Sequence, residues 1–327
     1  MTELSRRTLL ASTAVLGIGI LAGCTAETPN PAPSTGTGGG APEGTGDGDR
    51  FGVGRYNTQD VADELMHIEQ TVQPLTAGEM KRVFITGSTG GLGQLAAAYL
   101  LRRGHHVVVH ARNEQRAADV RRDLPNVEEV VIGDLSNLDE VEALASQVNE
   151  RGPFDVIIHN AGEYDQPGEV ILNVNVLAPY ILTCLVDRPA HVMYLTSSLN
   201  NAGDLKPDVV RAGGVEFTYN DSKLHILMLA LATNRLWPDV KSQAVGPGWV
   251  RTLMGNLNGE APGHVRDGYT TQVWLTEGIE PASREDADYF YRQAPETHAH
   301  PSARDTAAQD ELLAAYAART GVAFPTR

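Results

Sequence analysis

The chain has 327 residues, a formal net charge of -15 and a pI near 5.1. So acidic a balance excludes sequence-independent nucleic-acid binding, which needs a basic footprint. Two cysteines, Cys24 and Cys184, exclude a disulfide framework and a Cys-rich zinc site. The length is ample for one large domain with its own core.

In chain order, the first element is an address. Ser5-Arg6-Arg7-Thr8-Leu9-Leu10 is followed by an uncharged run over 11–23, the layout of an export signal and too short for the ~20 residues of a spanning helix. It resembles a twin-arginine signal, read by the twin-arginine export machinery. Leu21-Ala22-Gly23-Cys24 resembles a lipobox, in which Cys24 is lipidated and becomes the first mature residue. Residues 24–50 then suit a flexible linker: positions 28–48 hold seven Gly and four Pro with almost no apolar side chains. The acidic body would be repelled by anionic lipid, so membrane attachment is expected through the lipid alone, on the outer face of the cytoplasmic membrane. The alternative is translation from Met80, giving a cytoplasmic protein. Residues 51–79 form an N-terminal extension in which 60–70 reads as a helix of open role.

From residue 80 to 327 the pattern alternates. Short, β-branched-rich runs at 83–86, 106–110, 127–132, 154–159, 192–196 and 242–245 read as strands buried on both faces. Helical stretches lie between them at 92–103, stopped by Gly104, at 114–124, stopped by Pro125, at 138–150, and at 221–236, ended by Pro238. This alternation predicts a single α/β domain, a Rossmann-like doubly wound parallel sheet. The segment 253–327 is assigned to substrate binding.

Between the first strand and first helix lies Thr86-Gly87-Ser88-Thr89-Gly90-Gly91-Leu92-Gly93. Glycines there let the backbone approach a pyrophosphate, and the helix start behind them offers free N–H groups and a positive dipole end. With this Thr-Gly-x-x-x-Gly-x-Gly spacing, residues 81–255 resemble the short-chain dehydrogenase/reductase family. The resemblance extends to Gly133-Asp134-Leu135, where Asp134 matches an adenine-contacting acid. It also covers Asn160-Ala161-Gly162 and Pro247-Gly248-Trp249-Val250-Arg251-Thr252, the segment beside nicotinamide. His159 departs from it, standing where the family usually has Asn. The cofactor set it implies is Thr86, Gly87, Ser88, Gly91, Leu92, Gly93, Asp134, Leu135, Asn160, Ala161, Gly162, Pro247, Gly248, Val250 and Thr252, with Tyr219 and Lys223 shared. The second strand ends His110-Ala111-Arg112-Asn113 with no acid to hold a ribose 2′-hydroxyl. Arg112, with Arg116 nearby, favours the 2′-phosphate of NADP over NAD.

Tyr219 and Lys223 are four residues apart at the head of the longest helix and share one face. A phenol titrates near ~10, and a neighbouring ammonium is expected to lower that value toward the working range. The family resemblance implies Tyr219 as proton donor, Lys223 as the residue that tunes it and holds ribose, and Ser197 as the substrate-orienting hydroxyl, with Ser198 as alternative. It implies Asn175 as a relay residue, with Asn173 as alternative. The 22-residue interval from Ser197 to Tyr219 reads as an inserted loop over 200–217. Cys184 reads as core, and His298 and His300 lack companions at metal-ligating spacing, so no metal is expected. The apolar face over 224–231 suits core or a homodimer or homotetramer interface. These features point to an NADP(H)-dependent carbonyl reductase or alcohol dehydrogenase acting on a small carbonyl or alcohol. The alternative is a non-catalytic NADP-binding sensor lipoprotein.

Overall fold

The computed structural model describes residues 50–76 and 78–325. The expected signal, Cys24 and nearly all of the linker fall outside them. The described chain lies within one unit spanning residues 45–327.

Seven parallel strands form a sheet in the order β3-β2-β1-β4-β5-β6-β7, and a short β8 runs antiparallel at the β7 edge. The strands are β1 (Arg82–Ile85), β2 (His106–Ala111), β3 (Glu129–Ile132), β4 (Val156–His159), β5 (His191–Leu195), β6 (Lys241–Gly246), β7 (Tyr289–Tyr291) and β8 (Ala294–Pro295). The strands read as near-continuous apolar runs because both faces are covered. Phe84, Val108, Ile157 and Tyr194 pack on one face with residues of helices α4 (Leu138–Arg151), α6 (Ala178–Leu185), α8 (Tyr219–Leu236) and α10 (Thr306–Thr320). Their neighbours Val83, Ile85, Val109, Ile158 and Met193 pack on the other, with α1 (Gln59–Thr71), α2 (Gly91–Arg103), α3 (Glu114–Asp123) and α9 (Val265–Glu277). Each such side chain, buried whole, is worth roughly 1.5–3 kcal/mol.

The six expected strands and the expected helices are present with ends shifted by a residue or two. Helix α2 stops where Gly104 adopts φ +98, a left-handed cap that closes onto Leu100 and Leu101. Helix α8 begins two residues earlier than expected because Thr218 and Asp221 form a reciprocal capping box. The expected 60–70 helix is α1. It packs on α2 and α9, burying Val61, Leu65 and Ile68 with the core residues of that face. Its buried Glu64 accepts from Arg266 Nε at 2.8 Å and from the Tyr269 hydroxyl at 2.8 Å. Residues 51–76 are therefore an integral layer of the domain.

The run Gly168–Leu185 comprises α5 (Gly168–Leu172), a π-helical turn (Asn173–Leu177) and α6, and it passes a length-and-apolarity test for a membrane span. Two-thirds of it (67%) is buried inside the fold, as a core helix would be. The expected 200–217 loop contains a 3-10 turn (Ser198–Ala202) and a short helix, α7 (Pro207–Arg211). Helix α10 packs on α7 and α8, so much of the C-terminal segment belongs to the core rather than to a substrate pocket.

Candidate active site

Strand order reverses between β1 and β4, and chains leaving their carboxyl ends diverge to open a crevice. Backbone bonds fix the two rims to each other. The Thr86 hydroxyl oxygen accepts from the N–H groups of Asn160 (3.0 Å) and Ala161 (3.1 Å), while Asn160 Nδ2 donates to the carbonyls of Thr86 (2.9 Å) and Gly87 (3.2 Å). Gly87 sits at φ +62, with Ala161 Cα only 2.8 Å from where its Cβ would lie. A Cβ on Gly93 would meet Asn160 Nδ2 at 2.4 Å and the Gly87 carbonyl at 2.6 Å. The spacing of the glycine motif is thus a packing requirement.

The crevice is a cleft of about 550 Å³, the size of a small-molecule or cofactor site. Of the residues expected to hold cofactor, Gly87, Gly91, Leu92, Arg112, Asp134, Leu135, Asn160, Ala161, Gly162, Pro247 and Thr252 line it, together with Tyr219 and Lys223. The others stand behind the lining. Thr86 is buried beneath the loop. Ser88, also buried, donates from its hydroxyl to the Ile85 carbonyl (2.7 Å) and accepts from the His110 N–H (3.0 Å). Gly93 faces Asn160; Val250 is buried; and Gly248, at φ +78, lies against the Tyr291 ring. These five shape the walls rather than face the cavity.

At the adenine-side rim, Asp134 accepts from both the N–H (2.9 Å) and the hydroxyl (2.8 Å) of Ser136. Among the described residues Arg112 makes no hydrogen bond or ion pair; its exposed guanidinium borders the cleft within electrostatic reach of Glu163. Arg116 is committed: it donates to Asp119 (2.6 Å) and the Thr89 carbonyl (2.6 Å) and stacks 3.6 Å from the centroid of the Tyr56 ring.

Tyr219 and Lys223 share one face of α8, and Lys223 Nζ lies 5.2 Å from the Tyr219 ring centroid. The ammonium donates to the Leu195 carbonyl at 3.0 Å. Burial lowers the lysine to about 8, as loss of water disfavours the cation. The expected lowering of the phenol is not found. Burial, reinforced by Tyr164, pushes Tyr219 up, and the ammonium beside the ring spends its bond on a carbonyl. At neutral pH Tyr219 holds its proton.

Asn175 lies within the π-helical turn, buried. Its Oδ1 accepts from the Glu163 N–H (2.7 Å), and its Nδ2 donates to the Glu163 carbonyl (2.9 Å) and the Ser222 hydroxyl (3.0 Å). It therefore ties the turn after β4 to the helix carrying Tyr219. Gly162 lies beside both Asn175 and Lys223: a Cβ there would be 3.6 Å, an ordinary contact, from Asn175 Oδ1 and from Lys223 Nζ. Asn173 points elsewhere, donating to the Ser136 carbonyl at 2.9 Å. Ser197 follows Thr196 at the end of β5 and is off the cleft lining; its oxygen accepts from the Leu199 N–H at 3.2 Å, capping the 3-10 turn. Ser198 is exposed.

Several site residues escaped the sequence. Tyr164 meets Tyr219 edge-on at 4.8 Å and accepts from Asn258 Nδ2 at 3.0 Å. His110, lining the cleft, accepts from the Gly87 N–H at Nδ1 (3.0 Å) and donates from Nε2 to the Gly133 carbonyl (2.8 Å). That fixes its tautomer and requires the neutral ring, and burial lowers it to about 4. Behind the lining, His159, the departure from the family pattern seen in the sequence, stacks on Tyr194 at 4.9 Å and is lowered by burial to about 3. Tyr56 also lines the cleft.

A family profile described as short chain dehydrogenase matches residues 81–186. An uncharacterized oxidoreductase of Emericella nidulans is 39% identical over 259 residues, covering 75% of this chain and 99% of its own. A short-chain dehydrogenase of Gibberella zeae is 34% identical over 263 residues, covering 76% and 100%. Among solved structures, a short-chain dehydrogenase from Shigella flexneri complexed with NADP superposes with a TM-score of 0.53 at 22% identity, covering 66% of this chain and 98% of its own. The chain belongs to the short-chain dehydrogenase/reductase family and is an NAD(P)-dependent oxidoreductase.

Proposed function

We propose that the protein is an NADP(H)-dependent carbonyl reductase or alcohol dehydrogenase. The observation that carries this is the Tyr219–Lys223 pair facing the same cleft as the glycine loop. The cleft suits a dinucleotide: two glycines occupy positions where a Cβ would strike the opposite rim, and Arg112 offers a cation for a 2′-phosphate. Absence of an acid at the end of β2 favours NADP over NAD, in keeping with the NADP bound in the Shigella flexneri relative. The bound nicotinamide supplies or accepts the hydride.

The chain's own residues handle the proton. Tyr219, kept protonated by burial, donates to a carbonyl oxygen in reduction, and the resulting phenolate has the Lys223 ammonium 5.2 Å from its ring centroid. Asn175 and Ser222 fix the turn and helix on which this depends. Ser197 would polarise the substrate oxygen only after its side chain moves from the Leu199 N–H onto the cleft lining. The rim near Tyr219 carries Leu253 and Met254 on the lining, with Trp249 and Leu257 exposed beside them, which favours substrates with an apolar body. The Arg6-Arg7 and Cys24 motifs support export by the twin-arginine machinery and a lipid tether outside the cytoplasm. The test is a panel of aldehydes and ketones followed by NADPH absorbance. Consumption with an apolar carbonyl is expected; binding of NADPH without turnover of any carbonyl would favour a non-catalytic nucleotide sensor.

A further inference from the structure

We propose that residues 50–58, upstream of the first strand, are part of the dinucleotide site, and that Asn57 is a positioning residue holding the glycine loop in its binding shape. The proposal rests on the NADP(H) function above. A helix start leaves N–H groups unsatisfied, and a Ser, Thr, Asp or Asn immediately before it normally supplies the acceptor. Helix α2 has Gly90 there, and no side chain of its own cap serves it. The acceptor comes instead from 34 residues upstream: Asn57 Oδ1 takes the Gly91 N–H at 2.7 Å.

Asn57 is held firmly enough to act as a template. It is 1% exposed. Its Nδ2 donates to the Phe51 carbonyl (2.9 Å) and to Gln94 Oε1 (2.7 Å). Buried Gln94 passes a further bond to Asp123 Oδ2 (3.0 Å), which also accepts from the Tyr56 hydroxyl (2.8 Å). The same segment touches the two preceding loop residues. The Tyr56 carbonyl lies 2.8 Å from where a Cβ on Gly90 would sit, and Gly90 has an extended backbone at φ -164, so this close approach and not its conformation calls for glycine. Arg116, stacked on the Tyr56 ring, bonds the Thr89 carbonyl. Thr89, Gly90 and Gly91 are thus each fixed by the extension, directly or through Arg116, and all three line the cleft with Tyr56. A loop shaped in advance spares the ordering cost of binding, and a ligand that binds only that shape stabilises the segment that imposes it.

The test titrates NADPH into the full chain and its Asn57→Ala variant, reading NADPH fluorescence, with melting temperatures recorded alongside. The variant is expected to raise Kd about tenfold, because the Gly91 N–H no longer has its acceptor and the loop must be ordered by the ligand. A lowered melting temperature with Kd unchanged would mean that Asn57 serves packing alone, and overturns the proposal. Hydrogen exchange on the unaltered chain decides the matter should the variant not fold. NADPH is expected to slow amide exchange across residues 50–58 at least about threefold, and unchanged exchange there overturns the proposal. Failure of the unaltered chain to bind NADPH overturns the cofactor assignment as well; binding with an unaffected variant overturns this proposal alone.

Discussion

The two sides of the cleft are built by different means. The dinucleotide side is made of strand ends and tight turns whose groups are buried and mutually bonded: Thr86 to Asn160 and Ala161, His110 to Gly87 and Gly133, Asn57 to Gly91. The opposite rim carries apolar side chains that point outward, with Trp249 56% and Leu257 54% exposed. One side is fixed by what would otherwise be unpaired polar groups, each costing about 1–3 kcal/mol if orphaned. The other is free to vary because little depends on it except what enters the cleft. The difference separates cofactor geometry, which the fold dictates, from substrate choice, which it leaves to a few apolar side chains.

The largest effect expected is on chemistry at the junction of the two sides. Tyr219→Phe removes the only proton assigned to the carbonyl oxygen, so kcat should fall about a thousandfold while NADPH affinity stays within about twofold. Retained turnover would move the donor elsewhere and dissolve the junction.

Next comes acid stability, to which the dinucleotide side contributes two buried histidines. His110 and His159, at the ends of β2 and β4, have folded values of about 4 and about 3, below the ~6.5 of an unfolded histidine. The folded state therefore holds them neutral. The associated stability is complete above pH 6.5 and is lost as pH falls, by ~2 kcal/mol each at pH 5. Thermal melts should drop accordingly between pH 7 and 5, with NADPH binding lost alongside; a flat profile would mean that these rings do not govern acid stability.

The smallest effect belongs to the open side. Met254→Ser should leave the melting temperature and NADPH affinity nearly unchanged, as surface substitutions change stability by only about 0.5 kcal/mol. It should raise KM for an apolar carbonyl a few-fold, each methylene no longer buried being worth ~0.8 kcal/mol. A change in NADPH affinity instead would show that the two sides are not separate.

What the sequence disclosed follows the same division. The parallel sheet, the glycine turn and the Tyr219–Lys223 pair were legible because each is local: apolar runs of strand length, a fixed glycine spacing, two residues one turn apart. The direction of the Tyr219 shift was not, since it depends on burial. Asn57 and His110 were missed because their partners lie 34 and 23 residues away, with no periodicity to betray them. Helix α9 went unread because buried Thr271, Gln272 and Thr276 interrupt its apolar stripe. Strand β7 spans three residues, Tyr289–Tyr291, too few for any pattern.

Beyond β7, the two-residue β8 carries Pro295 opposite Phe290. A proline offers no amide hydrogen, and so brief a ribbon gives an incoming strand almost nothing to pair with. That margin of the sheet is therefore blunted against continuing into a neighbouring molecule. Crowding of many such chains should not seed ordered aggregates from this border.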